Sequence, residues 1–199
     1  MKVKVKKKGK VKEFKLISSW EEVSLEKWLQ LIDFETGTKT EEATETIAAL
    51  SNIPKQLVKE LALSDVAVIM NRIAKLQQEQ DTKLKRIIEI DGMEYGFHPD
   101  LDSITLGEYA DLETFIKNGI EKNMPEIMAV LFRPIKEKKN DIYIINAYDG
   151  DIRLRTEEMK KMSAQQVQSA LVFFFVLGKE LSEILPLYLM EQLKETKTQ

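Results

Sequence analysis

The chain opens on a strict alternation. Val3, Val5 and Val11 are separated by lysines, Phe14 and Leu16 continue the pattern, and Gly9 lies at its midpoint. Period-two alternation folded about a glycine predicts a β-hairpin over residues 1–17. The period then changes. Leu25, Trp28, Leu29 and Ile32 recur at the three-and-four spacing of a buried helical face, so residues 24–34 read as a helix with Trp28 in the core. After a polar break around Gly37, residues 40–50, 54–63 and 64–79 read as three short helices. Ile53 is pushed out of helical geometry by the proline after it, and Pro54 itself suits a first helical turn. Residues 75–85 are almost wholly polar, which divides the chain into 1–82 and 83–199, either as two units or as halves of one fold.

Beyond that break the order repeats. Residues 84–97 alternate around Asp91-Gly92, the strongest short hairpin signal, with Ile87, Ile88 and Ile90 on one arm and Met93, Tyr95 and Phe97 on the other. Thr105 and Glu108 form a Thr-x-x-Glu capping box at the start of a helix running to about Asn118, with Ile104 and Tyr109 placed as a hydrophobic staple. Set against this segment at a constant offset, Ser19–Trp28 matches Asp100–Tyr109 role for role. Val23 and Trp28 repeat the staple and Ser24 repeats the cap. Only Lys27 departs, because it cannot return the bond that Glu108 can.

Residues 123–132 start another helix, and 141–147, rich in Ile and Tyr, form a strand region able to pair with the second hairpin. Ser163 and Gln166 offer one more capping box. Residues 167–177 are apolar nearly all round, so this helix must be covered on most sides. The expected fold is α+β: mostly helical, with two β-hairpin-then-helix modules and a C-terminal helical layer.

Composition narrows the chemistry. The chain's 199 residues, 43% hydrophobic, suffice for a real core. The 30 basic and 33 acidic residues give a net charge of -3, so any pull on nucleic acid or a membrane must be local. Eight lysines crowd the first fifteen residues. Lys2, Lys4, Lys6, Lys7, Lys8, Lys10 and Lys12 read either as a phosphate-gripping strand pair or as an edge protected from aggregation by lysine. With no cysteine there is no disulfide or thiolate site. The single histidine, His98, precedes Pro99 and reads as a turn residue. Asp100 with Asp102, and Asp149 with Asp151, have a cation-compatible spacing but continue into no EF-hand loop, so no metal is assigned. Arg133-Pro134 and Arg153-x-Arg155 read as surface ion pairs. The alternating lysine start lacks the apolar core of a secretory signal, and the apolar run Ala170–Leu177 is too short to span a bilayer, so neither export nor a membrane partner is expected. Glycine-rich phosphate loops, His-Glu-x-x-His and Gly-x-Ser-x-Gly are absent from the sequence, and no enzyme or cofactor is expected.

One resemblance bears on function. Tyr95-Gly96-Phe97-His98-Pro99-Asp100-Leu101, Ile104–Glu113, Met128–Ile135 and Phe173–Leu181 resemble segments of small uncharacterised virion or assembly proteins of tailed bacteriophages, over about residues 84–181. Leu50–Pro54 with Leu61–Ser64 is similar to segments of phage tail-assembly proteins. The resemblance implies a non-enzymatic part in building the particle, located in the virion or the host cytoplasm, with other phage structural proteins or further copies as partners. It carries over no active-site residue. The surface expected to meet those partners is the apolar C-terminal helix pair at Phe173, Phe174, Leu177, Leu187 and Tyr188. The rival reading is a nucleic-acid-binding module using the lysine hairpin.

Overall fold

The computed structural model describes residues 2–7, 10–33, 37–78 and 83–172. Strands β1 (Lys2–Lys7) and β2 (Lys10–Lys15) pair antiparallel, with Val3 opposite Phe14 and Lys4 opposite Glu13. Val3 is buried and Phe14 packs on the core. On the other face Lys2 and Lys4 reach the Glu13 carboxylate at 3.3 and 3.5 Å. The hairpin is rooted by backbone bonds: Ile17 N–H donates to the Leu50 carbonyl at 3.0 Å, and Asn52 N–H to that of Lys15 at 2.9 Å.

A 3-10 turn at Trp20–Glu22 leads into α1 (Leu25–Asp33), followed by α2 (Lys39–Ala49), α3 (Lys55–Val58) and α4 (Leu63–Gln78). The sequence places α2 one residue late because its cap is Thr38, which closes a full capping box with Glu41. Leu16, Ile47, Leu50 and Ile69 are fully enclosed at the centre of this module.

The second module repeats the order. Strands β3 (Ile87–Ile90) and β4 (Met93–Phe97) meet at Asp91-Gly92, whose φ values of 50° and 80° are those of a type I′ turn. A 3-10 turn at Leu101–Ser103 then leads into α5 (Leu106–Lys117). Trp20 and Leu101, which open the two 3-10 turns, and Leu25 and Leu106, which open the two helices, are each 81 residues apart. The internal repeat is therefore structural.

Helix α6 (Met124–Leu131) runs directly into β5 (Phe132–Lys139), and β6 (Ile142–Ile145), α7 (Arg153–Met159) and α8 (from 164, described to 172) complete the described residues. The sheet order is β3-β4-β5-β6, all antiparallel. Residues 141–147 thus pair with β5 and not with the second hairpin. Strand β5 escapes the pattern because Pro134 interrupts it, Lys136–Lys139 lack alternation, and a register shift falls between Ile135 and Glu137.

The helix enclosed on every side is α6, whose Met124, Ile127, Met128, Val130 and Leu131 are all buried. In α8, Ala164, Val167 and Ala170 are also fully covered, while Val172 is half exposed. The modules are joined at a short antiparallel seam. Leu25 N–H donates to the Met162 carbonyl and Ala164 N–H to that of Val23, each at 2.7 Å. Trp28 lies between the two cores and packs on both.

Gly96 in β4 is required by close approach. The Tyr143 ring lies flat across it, so that the hydroxyl donates to the Phe97 carbonyl at 2.6 Å and reaches that of Arg86 at 3.2 Å. A Cβ at this position would press into the ring and stand 2.9 Å from Ile145 Cγ2. Gly96→Ala is therefore expected to cost about 1–3 kcal/mol by overpacking. Urea denaturation checks this, with Gly107→Ala in α5 as the comparison, where the nearest neighbouring atom is 4.0 Å from the new Cβ.

Candidate functional site

The chemistry-bearing residues that the fold concentrates lie where α5 meets the sheet. Thr105 caps α5: its hydroxyl accepts from Glu108 N–H at 3.3 Å, and Glu108 Oε2 accepts from Thr105 N–H at 2.7 Å and from its hydroxyl at 2.6 Å. This leaves Oε1 pointing at the sheet. Arg133, on β5 opposite Gly96, brings its guanidinium to 2.6 Å from that oxygen. His98, fixed just beyond β4 by its N–H bond to the Leu131 carbonyl, places Nε2 at 3.5 Å from the same oxygen. Glu108 is 1% exposed, Arg133 4% and His98 8%, so the cluster is shut away from solvent.

A second layer surrounds it. The Arg133 guanidinium carbon lies 5.8 Å from the centre of the Tyr148 ring, whose hydroxyl donates to Asp111 on the next turn of α5. Arg155 from α7 donates through Nε to the Ala129 carbonyl at 2.6 Å, tying α7 to α6.

Burial alone would push the Glu108 carboxyl up, but the Thr105 hydroxyl and N–H, Arg133 and His98 outweigh it and hold it below the ordinary value. Burial lowers His98, opposed by Glu108 and assisted by Arg133, with Asp100 pulling the other way; the net direction is down. Burial also lowers Arg133, against the pull of Glu108. Tyr148 is raised, first by burial and then by Asp111. At neutral pH the centre is an ionised carboxylate and a guanidinium beside a neutral imidazole. Such a set locks elements together; it presents no open face to a substrate.

The surface grooves lie elsewhere. One, of about 340 Å³, runs between the first hairpin and α4 and is lined by Lys2, Val3, Glu13, Asp65, Val68 and Arg72 among others. Another, of about 420 Å³, follows the seam, where Lys85 pairs with Glu21 and Lys161 with Asp91, each at 2.5 Å. Neither reaches the buried cluster.

Two sequence expectations are corrected. Arg133 is no surface ion pair; it is buried on β5, whose existence the local pattern hides. His98 is no plain turn residue, because α5 and β5 close over it. Arg153 does form a surface pair, with Asp151 at 3.0 Å. Asp149 accepts from Asp151 N–H at 3.1 Å, as turn aspartates do. Among the described residues no group of three or more histidines and carboxylates is placed to hold a metal ion, and no helix is long and apolar enough to cross a membrane.

Of the hairpin lysines, Lys2, Lys4 and Lys12 are exposed, Lys6, Lys7 and Lys10 occupy strand positions, and Lys8 lies outside the described residues. Phe173, Phe174, Leu177, Leu187 and Tyr188 also lie outside them. Comparison with protein-family models, with curated proteins and with solved structures gives no match.

Glu108→Gln and Arg133→Met are each expected to cost about 3–5 kcal/mol, because each leaves a buried charge without its partner. The double variant should cost clearly less than the sum, and a double-mutant cycle in urea measures the coupling. The pH response follows from the depressed His98 and Glu108 values. Each group favours the folded state above its ordinary value, 6.5 for the imidazole and 4.5 for the carboxyl, and loses that contribution as pH falls toward the folded-state value. The melting temperature should therefore begin to drop below about pH 6.5. His98→Gln should flatten the upper part of that decline and leave the carboxylate part, which calorimetry at half-unit pH steps would resolve.

Proposed function

We propose that this chain is a non-enzymatic structural or assembly protein of a tailed bacteriophage, acting through protein-protein contacts in the virion or during its assembly in the host cytoplasm. The observation that carries this reading is how the two kinds of side chain are distributed. The buried ionisable groups are used to fasten elements to one another. Large apolar side chains, by contrast, stand outside on both modules: Leu63 is 86% exposed, Leu154 85%, Leu106 84% and Ile142 79%. Ile142 and Ile144 stand on β6, which ends the four-stranded sheet, and edge strands of this composition are open to further pairing. The resemblance of residues 84–181 to phage virion and assembly proteins supports the same conclusion, and no catalytic, cofactor or metal-binding residue is assigned. The apolar stretch from Phe173 to Tyr188 remains the proposed partner surface.

A nucleic-acid-binding role for the hairpin is the second reading, favoured by its lysine density. Against it, Lys2 and Lys4 already share Glu13, the first fifteen residues hold no arginine, and their one aromatic, Phe14, packs on the core.

Static light scattering of the purified protein, alone and mixed with portal, capsid and tail proteins encoded beside it, tests the proposal. Association with itself or with at least one of them is expected, and peptides of this chain in purified particles would mark it as a virion component. Strict monomers in every mixture would overturn the assembly role.

A further inference from the structure

The first hairpin differs electrically from everything that follows it. Residues 1–15 hold eight lysines and one glutamate, which leaves 22 basic and 32 acidic residues for 16–199; a segment of net charge +7 is thus attached to a body of -10. The single acid in the hairpin, Glu13, is already shared by Lys2 and Lys4.

The structure sets this charge apart in space as well. Val3 and Phe14 at the open end of the hairpin pack on the core, and the root at Lys15–Ile17 is bonded to Leu50–Asn52. Farther along β2, Val11 is 58% exposed and Lys12 is exposed. Apart from the pairing of β1 with β2, neither strand has an extensive contact with another element.

We propose that the lysine-rich hairpin of one copy docks on the acidic body of a second copy, joining copies arm to body. This inference rests on the assembly reading and names one of its partners. Charge complementarity selects the occupant. A polyanion attracted to the arm would meet repulsion from a body of -10 within a Debye length of about 8–10 Å, whereas a second copy offers the arm a body of the opposite net sign. Lysine also suits the task, since compact charges on flexible stems can satisfy carboxylates scattered over a surface without the planar fit that arginine demands. Because arm and body are different surfaces, the contact is heterologous and extends into rings or filaments.

Sedimentation velocity of the full chain at about 50 mM and about 500 mM salt tests the proposal, since screening contracts the range of such attraction several-fold. The expected result is self-association at low salt that reverses at high salt. Lys6→Glu, Lys7→Glu, Lys10→Glu and Lys12→Glu together should abolish it, and the same four positions changed to Gln should weaken it by more than tenfold, with circular dichroism unchanged. In a mixture of light and nitrogen-15-labelled protein, a carbodiimide should link arm lysines of one isotope to carboxylates of the other. A monomer at low salt, or association that survives the charge reversal, overturns the arm contact. If that monomer still binds phage structural proteins, the assembly reading stands without it. Retention of duplex DNA by the arm while copies remain apart would overturn it in favour of nucleic acid.

Discussion

One carboxylate, Glu108, fastens together segments that sequence order alone would leave independent. Its Oε2 closes the cap of α5 on Thr105, and its Oε1 holds Arg133 from β5 and faces His98 beyond β4. A buried ion pair of this kind adds little net stability over an apolar replacement, because desolvation offsets most of the attraction. Its effect is selective: a slip of α5 along the sheet, or of β5 past β4, would leave a charge buried without a partner. Gly96 acts in the same place by a different route. It clears the space in which Tyr143 crosses from β6 to bond the backbone at Phe97 and Arg86, so the sheet is pinned from both of its later strands.

The equivalent position in the first module is occupied differently. Lys27 stands where Glu108 stands in the repeat, and a lysine cannot accept from the N–H groups at a helix start. Ser24 still caps, accepting from Lys27 N–H at 3.3 Å, while the first-turn N–H groups of Leu25 and Glu26, which a capping box does not serve, take acceptors from elsewhere in the chain. They find them in the carbonyls of Met162 and Lys160, at 2.7 and 3.0 Å. The start of α1 is thus tied to the segment leading into α8. That segment ends in its own capping box, Ser163 with Gln166, so one short stretch finishes α1 and starts α8.

Much of this framework is legible in the sequence because it is encoded locally. The two hairpins, the Asp91-Gly92 turn, the capping boxes at Thr105 and Ser163, and the 81-residue correspondence all rest on residues within a few positions of one another. What escapes is encoded by distant pairing. Strand β5 contains a proline and a run of charge, and only its neighbours β4 and β6 make it a strand. Arg133 is indistinguishable from a surface arginine until β5 is recognised. The one available signal is that Glu108, placed by its cap at a known helical position, needs a cation once α5 is buried against the sheet. The all-apolar pattern at 167–177 draws attention away from α6, whose eight residues are too short for a clear period yet are the ones enclosed on all sides.

These inward uses of charge bear on the outward ones. Glu108, Arg133 and His98 are consumed in registering α5 against the sheet, and Lys161 and Lys85 in holding the seam to Asp91 and Glu21. The hairpin is not neutralised from within: residues 1–15 hold eight lysines against one glutamate, Glu13, which Lys2 and Lys4 share, Lys15 reaches out to Glu22 instead, and the body they adjoin carries a surplus of carboxylates. Protection of an edge strand accounts for a lysine here and there. It does not account for a segment whose charge is opposite to that of the rest of the chain, since charges of either sign would keep an edge soluble. In the proposed arm-to-body contact, a segregation of sign between arm and body sets orientation, since it favours unlike surface on unlike surface and disfavours arm meeting arm. That is the geometry a protein needs if it is to be laid down in series.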